Sequence, residues 1–268
     1  MATEACTRRR RFVCVALVFS AASCVDQTAI SPSAEAIVVH AVLDASARDQ
    51  YVVVQTTNGA ITSQRAVSGA TVIIVTPDGR ALAADEVHDS TRYDVRSGEP
   101  RVTSLYRVSL DRYGVALISG AAYRLHVTLP DQREVTGSTT IPGSGSGALL
   151  DLPQTIARAT DTLTLAWPRV SGAAAYDVSI SSSRSSYSVF ADTSIVLPGR
   201  TDNTDGTPAF VGGLTHQIVV SAVDANYYDY YRRGSDLFTG AGPITRLTGA
   251  MGVFGSIVPL GRGTITVR

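Results

Sequence analysis

Short runs of alternating apolar and polar residues fill the chain from about residue 36 onward. "AIVVHAVLD" (36–44), "QYVVVQTT" (50–57), "ATVIIVTP" (70–77), "SLYRVSL" (104–110), "AYRLHVTL" (122–129) and "EVTGSTTI" (134–141) are rich in Val, Ile, Thr and Tyr. A period of two puts successive side chains on opposite faces of a strand, and β-branched and aromatic residues suit that pleated surface. No stretch holds a 3.6-residue period long enough to predict a helix. Asn58-Gly59 and Asp78-Gly79 offer the positive-φ positions of tight turns. The pattern predicts a sandwich of two antiparallel sheets over 36–142, with closure into a small barrel as the alternative.

The segment "PGSGSGA" (142–148) has little reason to fold on itself, so 143–149 is expected to be a Gly/Ser linker. Alternation resumes beyond it. Leu163, Leu165 and Trp167 form one trio, and Tyr176, Val178 and Ile180 another, each on one sheet face. "THQIVVSAVDAN" (215–226) adds a further strand. These pieces predict a second β-sandwich over 150–268. Its glycine-rich end (240–267) is expected to serve close backbone approach or tight turns, to be tucked in by Met251 and Phe254, and to close on a final strand, "TITV". Read as continued strand, "NYYDYYRR" (226–233) would place Tyr228 and Tyr230 on one face and Tyr227, Asp229 and Tyr231 on the other.

The N-terminus follows a different rule. Arg8 to Arg11 are basic, Phe12 to Phe19 apolar and Ser20 to Ser23 small, which is the layout of a cleavable export signal over 1–23. The apolar run is far shorter than the roughly 20 residues of a membrane-spanning helix. Ala21-Ala22-Ser23-Cys24 resembles a bacterial lipobox; ordinary signal-peptidase cleavage is the alternative. Of three cysteines, Cys6 and Cys14 lie in the segment to be removed, so the mature chain keeps only Cys24 and cannot form an internal disulfide. Cys24 is therefore expected to carry lipid, with 24–35 as a tether. Each buried methylene contributes about 0.8 kcal/mol, so several acyl chains give lasting attachment. The expectation is thus an exported protein held at a membrane by its lipid.

Charge and candidate chemistry change this picture little. The chain has 23 basic and 23 acidic residues, every basic one an arginine. Losing the leader leaves a slightly acidic body, without the basic bias of a nucleic-acid binder. His40, His88, His126 and His216 are scattered with no ligand spacing. "GSGSG" at 143 puts glycine where a nucleophile elbow needs serine. Asp202, Asp205 and Gly206 lack the alternating ligands of a calcium loop and read as a solvated loop, as do Glu86, Asp89 and Asp94. No catalytic residue, metal or cofactor is expected, and the protein reads as non-enzymatic. The candidate contact surface is Tyr227, Tyr228, Tyr230, Tyr231 and Arg232, because tyrosine brings large area at low entropic cost. The competing reading makes one tyrosine pair part of the sandwich core.

Two resemblances refine these expectations. Trp167, Gly172-Ala173 and Tyr176-x-Val178-x-Ile180, with the strand at 215–226, resemble fibronectin type III strands B, C and F. "AVSGATVIIVTPDG" (66–79), "ISGAAYRLHVTLPDQREVTGSTTIP" (118–142) and "ITRLTGAMGVFGS" (244–256), with its closing Gly252-Val253-Phe254-Gly255, are similar to the domain-of-unknown-function family 4249. Those are bacterial exported lipoproteins, often encoded beside TonB-dependent outer-membrane receptors. The resemblance implies a location at the bacterial outer membrane, on either its periplasmic or its surface side, and a role as accessory or binding partner of such an uptake system, and it supplies no catalytic residues. A structural or adhesive envelope protein, and a glycan or peptide hydrolase, are the alternative functions. Nothing in the chain indicates an oligomeric state.

Overall fold

A computed structural model describes residues 35–58, 64–93, 100–145, 148–232 and 244–268. The leader, Cys24 and nearly all of the tether lie outside the described residues. The chain runs β1 (Glu35–Asp44), β2 (Asp49–Asn58), β3 (Gln64–Ala66), β4 (Thr71–Val75), β5 (Ala81–Ala83), β6 (Asp85–Tyr93) and β7 (Pro100–Ser109). A single helical turn, α1 (Leu110–Tyr113), leads to β8 (Ala122–Thr128) and β9 (Glu134–Thr140). The second half holds β10 (Ala148–Leu149), β11 (Thr155–Ile156), β12 (Thr162–Ala166), β13 (Ala175–Ser181), β14 (Ser186–Ala191), β15 (Ser194–Pro198) and β16 (Thr215–Val223). A helix, α2 (Ala225–Tyr231), and a long strand, β17 (Met251–Val267), complete it.

The period-two pattern translates directly into burial. In β1, Ile37, Val39, Ala41 and Leu43 are buried while the residues between them are only half-buried. The turn at Asp78-Gly79 forms as expected, with Gly79 at φ +87° and its N–H donating to the Thr76 carbonyl at 3.0 Å.

One eleven-stranded sheet follows the order β14-β13-β16-β17-β1-β2-β7-β6, with β3, β10 and β11 pairing off this path. A four-stranded sheet, β5-β4-β8-β9, and a two-stranded sheet, β12-β15, accompany it. Buried faces of all three sheets join in one hydrophobic cluster. The architecture is thus an all-β sandwich with open sheets, and the barrel alternative does not hold.

Three expectations are corrected. Within the glycine-rich end, Met251–Val267 is one continuous strand of 17 residues, far longer than the expected "TITV", and of the two expected uses of its glycines close approach holds there and not tight turns. Its first part pairs in parallel with β1, from Val38 with Met251 to Asp44 with Ile257. Its second part pairs antiparallel with β16, from Val223 with Ile257 to Thr215 with Thr266. The two halves therefore share a strand. The glycines serve close approach: a Cβ on Gly252, at φ +119°, would lie 1.9 Å from the Val39 carbonyl oxygen. Only glycine permits this pairing.

The expected linker is docked as well. The Gly143 N–H donates to the Ser171 carbonyl at 2.7 Å, and Ala148 and Leu149 pair with Gly261 and Arg262. Backbone hydrogen bonding to neighbours holds a segment whose composition alone offers no reason to fold. Finally, Glu86 and Asp89 stand in β6, paired with β7, and not in a loop; Asp94 lies outside the described residues.

Candidate functional site

The tyrosine stretch, which the sequence leaves open between a continued strand and a contact surface at a strand's end, is helix α2. The cause is Asp224, where the chain leaves β16. Its backbone is extended (φ −75°, ψ 173°), and its side chain caps the helix by accepting the Tyr227 N–H at 3.0 Å. The same oxygen accepts the Ser256 N–H at 3.0 Å, and its neighbour accepts the Thr139 hydroxyl at 2.7 Å. Asp224, Ser256 and Thr139 are all buried. One carboxylate thus ties α2 to the shared strand and to β9 of the first half. Asn226 reinforces the tie, donating to the Ser138 carbonyl at 2.6 Å and the Phe254 carbonyl at 2.8 Å. Gly255 lets the helix sit close, since a Cβ there would lie 2.9 Å from the Tyr227 nitrogen. Capping and tertiary contact override the strand preference of tyrosine.

Helical spacing regroups the candidate residues. Tyr227 and Tyr231, one turn apart, bring their rings to 4.5 Å. Tyr228 packs edge-on against Phe190 of β14 at 5.1 Å, with the Arg232 guanidinium 4.9 Å from its ring centre. Tyr230 and Tyr231 flank His40 of β1 at 6.0 and 5.8 Å, and the Tyr231 hydroxyl hydrogen-bonds His40 Nε2. Asp229 is buried and ion-paired to Arg232 at 2.8 Å and to Arg246. Tyr227, Tyr228 and Tyr230 are half-buried; Tyr231, at 36 % exposure, and Arg232 form the outer rim. The tyrosines are neither sandwich core nor free loop. They roof the outer face of the shared sheet where its halves meet.

Burial sets the electrostatics beneath this roof. Asp177 of β13 accepts the Ser188 hydroxyl and, at 3.4 Å, the Tyr227 hydroxyl. Burial pushes its carboxyl above the usual carboxylate range, against those two hydrogen bonds. Burial raises Tyr227 strongly and pushes Tyr231 up to about 12, so both phenols stay protonated. Burial also lowers His40, which favours neutral imidazole. The arrangement presents neutral aromatic surface with polar tips, bordered by arginine, and is suited to recognition.

The remaining sequence candidates lie apart. Cys24 is outside the described residues. His126 is exposed on β8, and His216 is buried on β16, where Nε2 accepts the Val211 N–H at 3.0 Å. His88 stands on β6. Asp205 accepts the Thr207 N–H and hydroxyl within its own turn, and Asp202 faces Arg158 at 3.5 Å. The sequence reading missed Asp224, although an aspartate closing an apolar strand is a legible helix-start signal. It also missed Asp177, His40 and Phe190, which reach α2 only through distant strands and carry no local signal.

A family model described as "Domain of unknown function (DUF4249)" matches residues 26–257. No curated protein matches. Among solved structures, the chain is similar to the FN1–FN3 domains of chicken CNTN1, at 12 % identity and a TM-score of 0.21, covering 87 % of this chain and 66 % of that one. It is also similar to a Ca2+-stabilized adhesin with which an Antarctic bacterium binds ice, at 16 % identity and a TM-score of 0.23, covering 88 % of this chain and 50 % of the adhesin. The chain thus spans less than two thirds of the first and half of the second.

Proposed function

The chain belongs to the DUF4249 family, and on that premise we propose that it is a non-enzymatic envelope lipoprotein, anchored through Cys24, that partners a TonB-dependent outer-membrane receptor. The observation that carries this reading is the position of α2. Its last turn lies over His40, midway along β1, the strand at whose start the chain arrives from Cys24. Glu35 follows Cys24 by eleven residues, a span of at most roughly 40 Å at about 3.6 Å per residue. A lipid on Cys24 therefore holds the tyrosine surface within roughly 57 Å of the bilayer, the tether plus about 3.4 Å for each of the five residues from Glu35 to His40, where a membrane receptor presents its own surface. Confinement raises local concentration, so each contact can be weak.

The test is photo-crosslinking in native membranes, with the crosslinker at Tyr231 of the lipidated protein and Cys24→Ala as its companion. The reading predicts an adduct with a TonB-dependent receptor, and loss of both membrane association and adduct in Cys24→Ala. Membrane association undiminished in Cys24→Ala overturns the lipid anchor. A membrane-bound wild type that yields no receptor adduct overturns the partner.

A further inference from the structure

Beyond α2 the outer face of the shared sheet is open. A groove of about 580 Å³ runs over β13, β16 and the second part of β17, walled at one end by Asp44 and Ser46 after β1. Its volume falls within the roughly 300–1,000 Å³ of small-ligand sites. A β-bulge between Val220 and Ser221 shapes its floor. The bulge turns Leu260 into the core and leaves Gly261 lining the groove, which deepens it.

We propose that this groove binds a neutral oligosaccharide. The first reason is Ser221. The residue is 5 % exposed and lines the groove, and its hydroxyl makes no hydrogen bond to the described residues, which leaves it free to bond a ligand. Ser179 and Gln217 line the groove with the same unused capacity. The second reason is the order of the polar groups. Asp177, Ser221 and Pro259 form one cross-strand rung, and Ser179, Val219 and Arg262 the next, about 7 Å further along.

Acceptors gather at one end. Asp44 uses one oxygen for the Ser46 N–H and hydroxyl, and Asp177 keeps spare acceptor capacity. At the other end Arg262 offers only donors and has no carboxylate partner among the described residues. Hydroxyl and amide groups, which do both, lie between. Val219, Ile257 and Pro259 supply apolar surface.

An anion would face Asp44 and Asp177, a cation would face Arg262, and an apolar ligand would strand Ser221. A run of sugar hydroxyls donates to the carboxylates, accepts from the guanidinium, and lays its C–H face on the proline and isoleucine. This site adjoins the α2 surface at Asp177, which accepts the Tyr227 hydroxyl, but it opens onto β13, β16 and β17 and does not depend on lipidation.

The experiment screens the purified full-length chain on an array of neutral oligosaccharides of two to six units. Titration calorimetry then measures the best binder and the zwitterionic tripeptide Ala-Ala-Ala. Saturable sugar binding is expected, weakened at least tenfold by Arg262→Ala and by Ser221→Ala. The exposed Arg262 makes its variant a folded control, with thermal unfolding as in wild type. No saturable binding on the array, an unchanged Kd in Arg262→Ala, or tighter binding of the tripeptide overturns the proposal.

Discussion

Two turns, one in each half, are built alike. In the first, Ser119-Gly120-Ala121-Ala122-Tyr123 places Gly120 at φ +77° and buries Tyr123, whose hydroxyl accepts the Ile118 N–H at 2.9 Å. In the second, Ser171-Gly172-Ala173-Ala174-Ala175-Tyr176 places Gly172 at φ +73° and buries Tyr176, whose hydroxyl accepts the Val170 N–H at 2.8 Å. Both solve one problem: a large ring enters the core while its polar tip satisfies the turn that delivers it. The strands that follow go to different places. β8 joins the four-stranded sheet between β4 and β9, whereas β13 joins the long sheet between β14 and β16. The local unit is written in local sequence. The sheet that receives it is decided by pairing partners far away in the chain.

The sharpest way to break the comparison is to cut the halves apart. Gly252→Ala drives a Cβ into the Val39 carbonyl and should cost about 4 kcal/mol or more. Urea unfolding should show that loss, with β1 among the first segments to lose amide protection. A variant within about 0.5 kcal/mol of wild type would mean that the β1–β17 pairing is dispensable.

Tyr123→Phe and Tyr176→Phe sharpen the comparison. Each leaves one turn N–H without its acceptor and should cost about 1–2 kcal/mol. If the turns are equivalent units, the two losses agree within about 0.5 kcal/mol. A loss confined to one variant would show that the likeness is only of sequence.

The smallest effect concerns the roof over the junction. Burial lowers His40 in the folded state, between the Tyr230 and Tyr231 rings. An unfolded chain takes up the proton near the ordinary histidine value of about 6.5, while the folded chain resists until lower pH. The His40 contribution is therefore present above that value and lost as pH falls through it towards the lower folded value. Between pH 7.5 and 5, His40→Gln should lose less stability than wild type. An equal or steeper loss in the variant would remove His40 as a pH-sensitive contact.

These contrasts show where sequence reading works. β1, β2, β4, β7, β8, β9, β12, β13 and β16, the Asp78-Gly79 turn and the Trp167–Tyr176 pair, whose rings meet at 5.6 Å, follow from period-two patterning and turn chemistry. The seven residues of α2 lie at a strand's end without helical patterning of their own, and a cap held by Thr139 and Ser256 has no local signature beyond Asp224 itself. In β17 the glycines suit either tight turns or close backbone approach, and composition does not choose between them. Gly252 and Gly255 are there to admit β1 and α2, a purpose visible only once those elements are in place. The groove combines Asp44, Asp177, Ser221 and Arg262 from four separate segments, so no window of sequence contains it.

The central claim is that β17 makes the two halves one cooperative body. Hydrogen exchange by mass spectrometry across a urea series, on wild type and Asp224→Ala, tests it most directly by following β8 in the first half and β13 in the second. The account predicts that both strands lose protection at the same urea concentration. It also predicts that Asp224→Ala, which removes the carboxylate shared by α2, Ser256 and Thr139, shifts both midpoints downward together. Separate midpoints, or a shift confined to β13, would contradict the account and restore two independent domains.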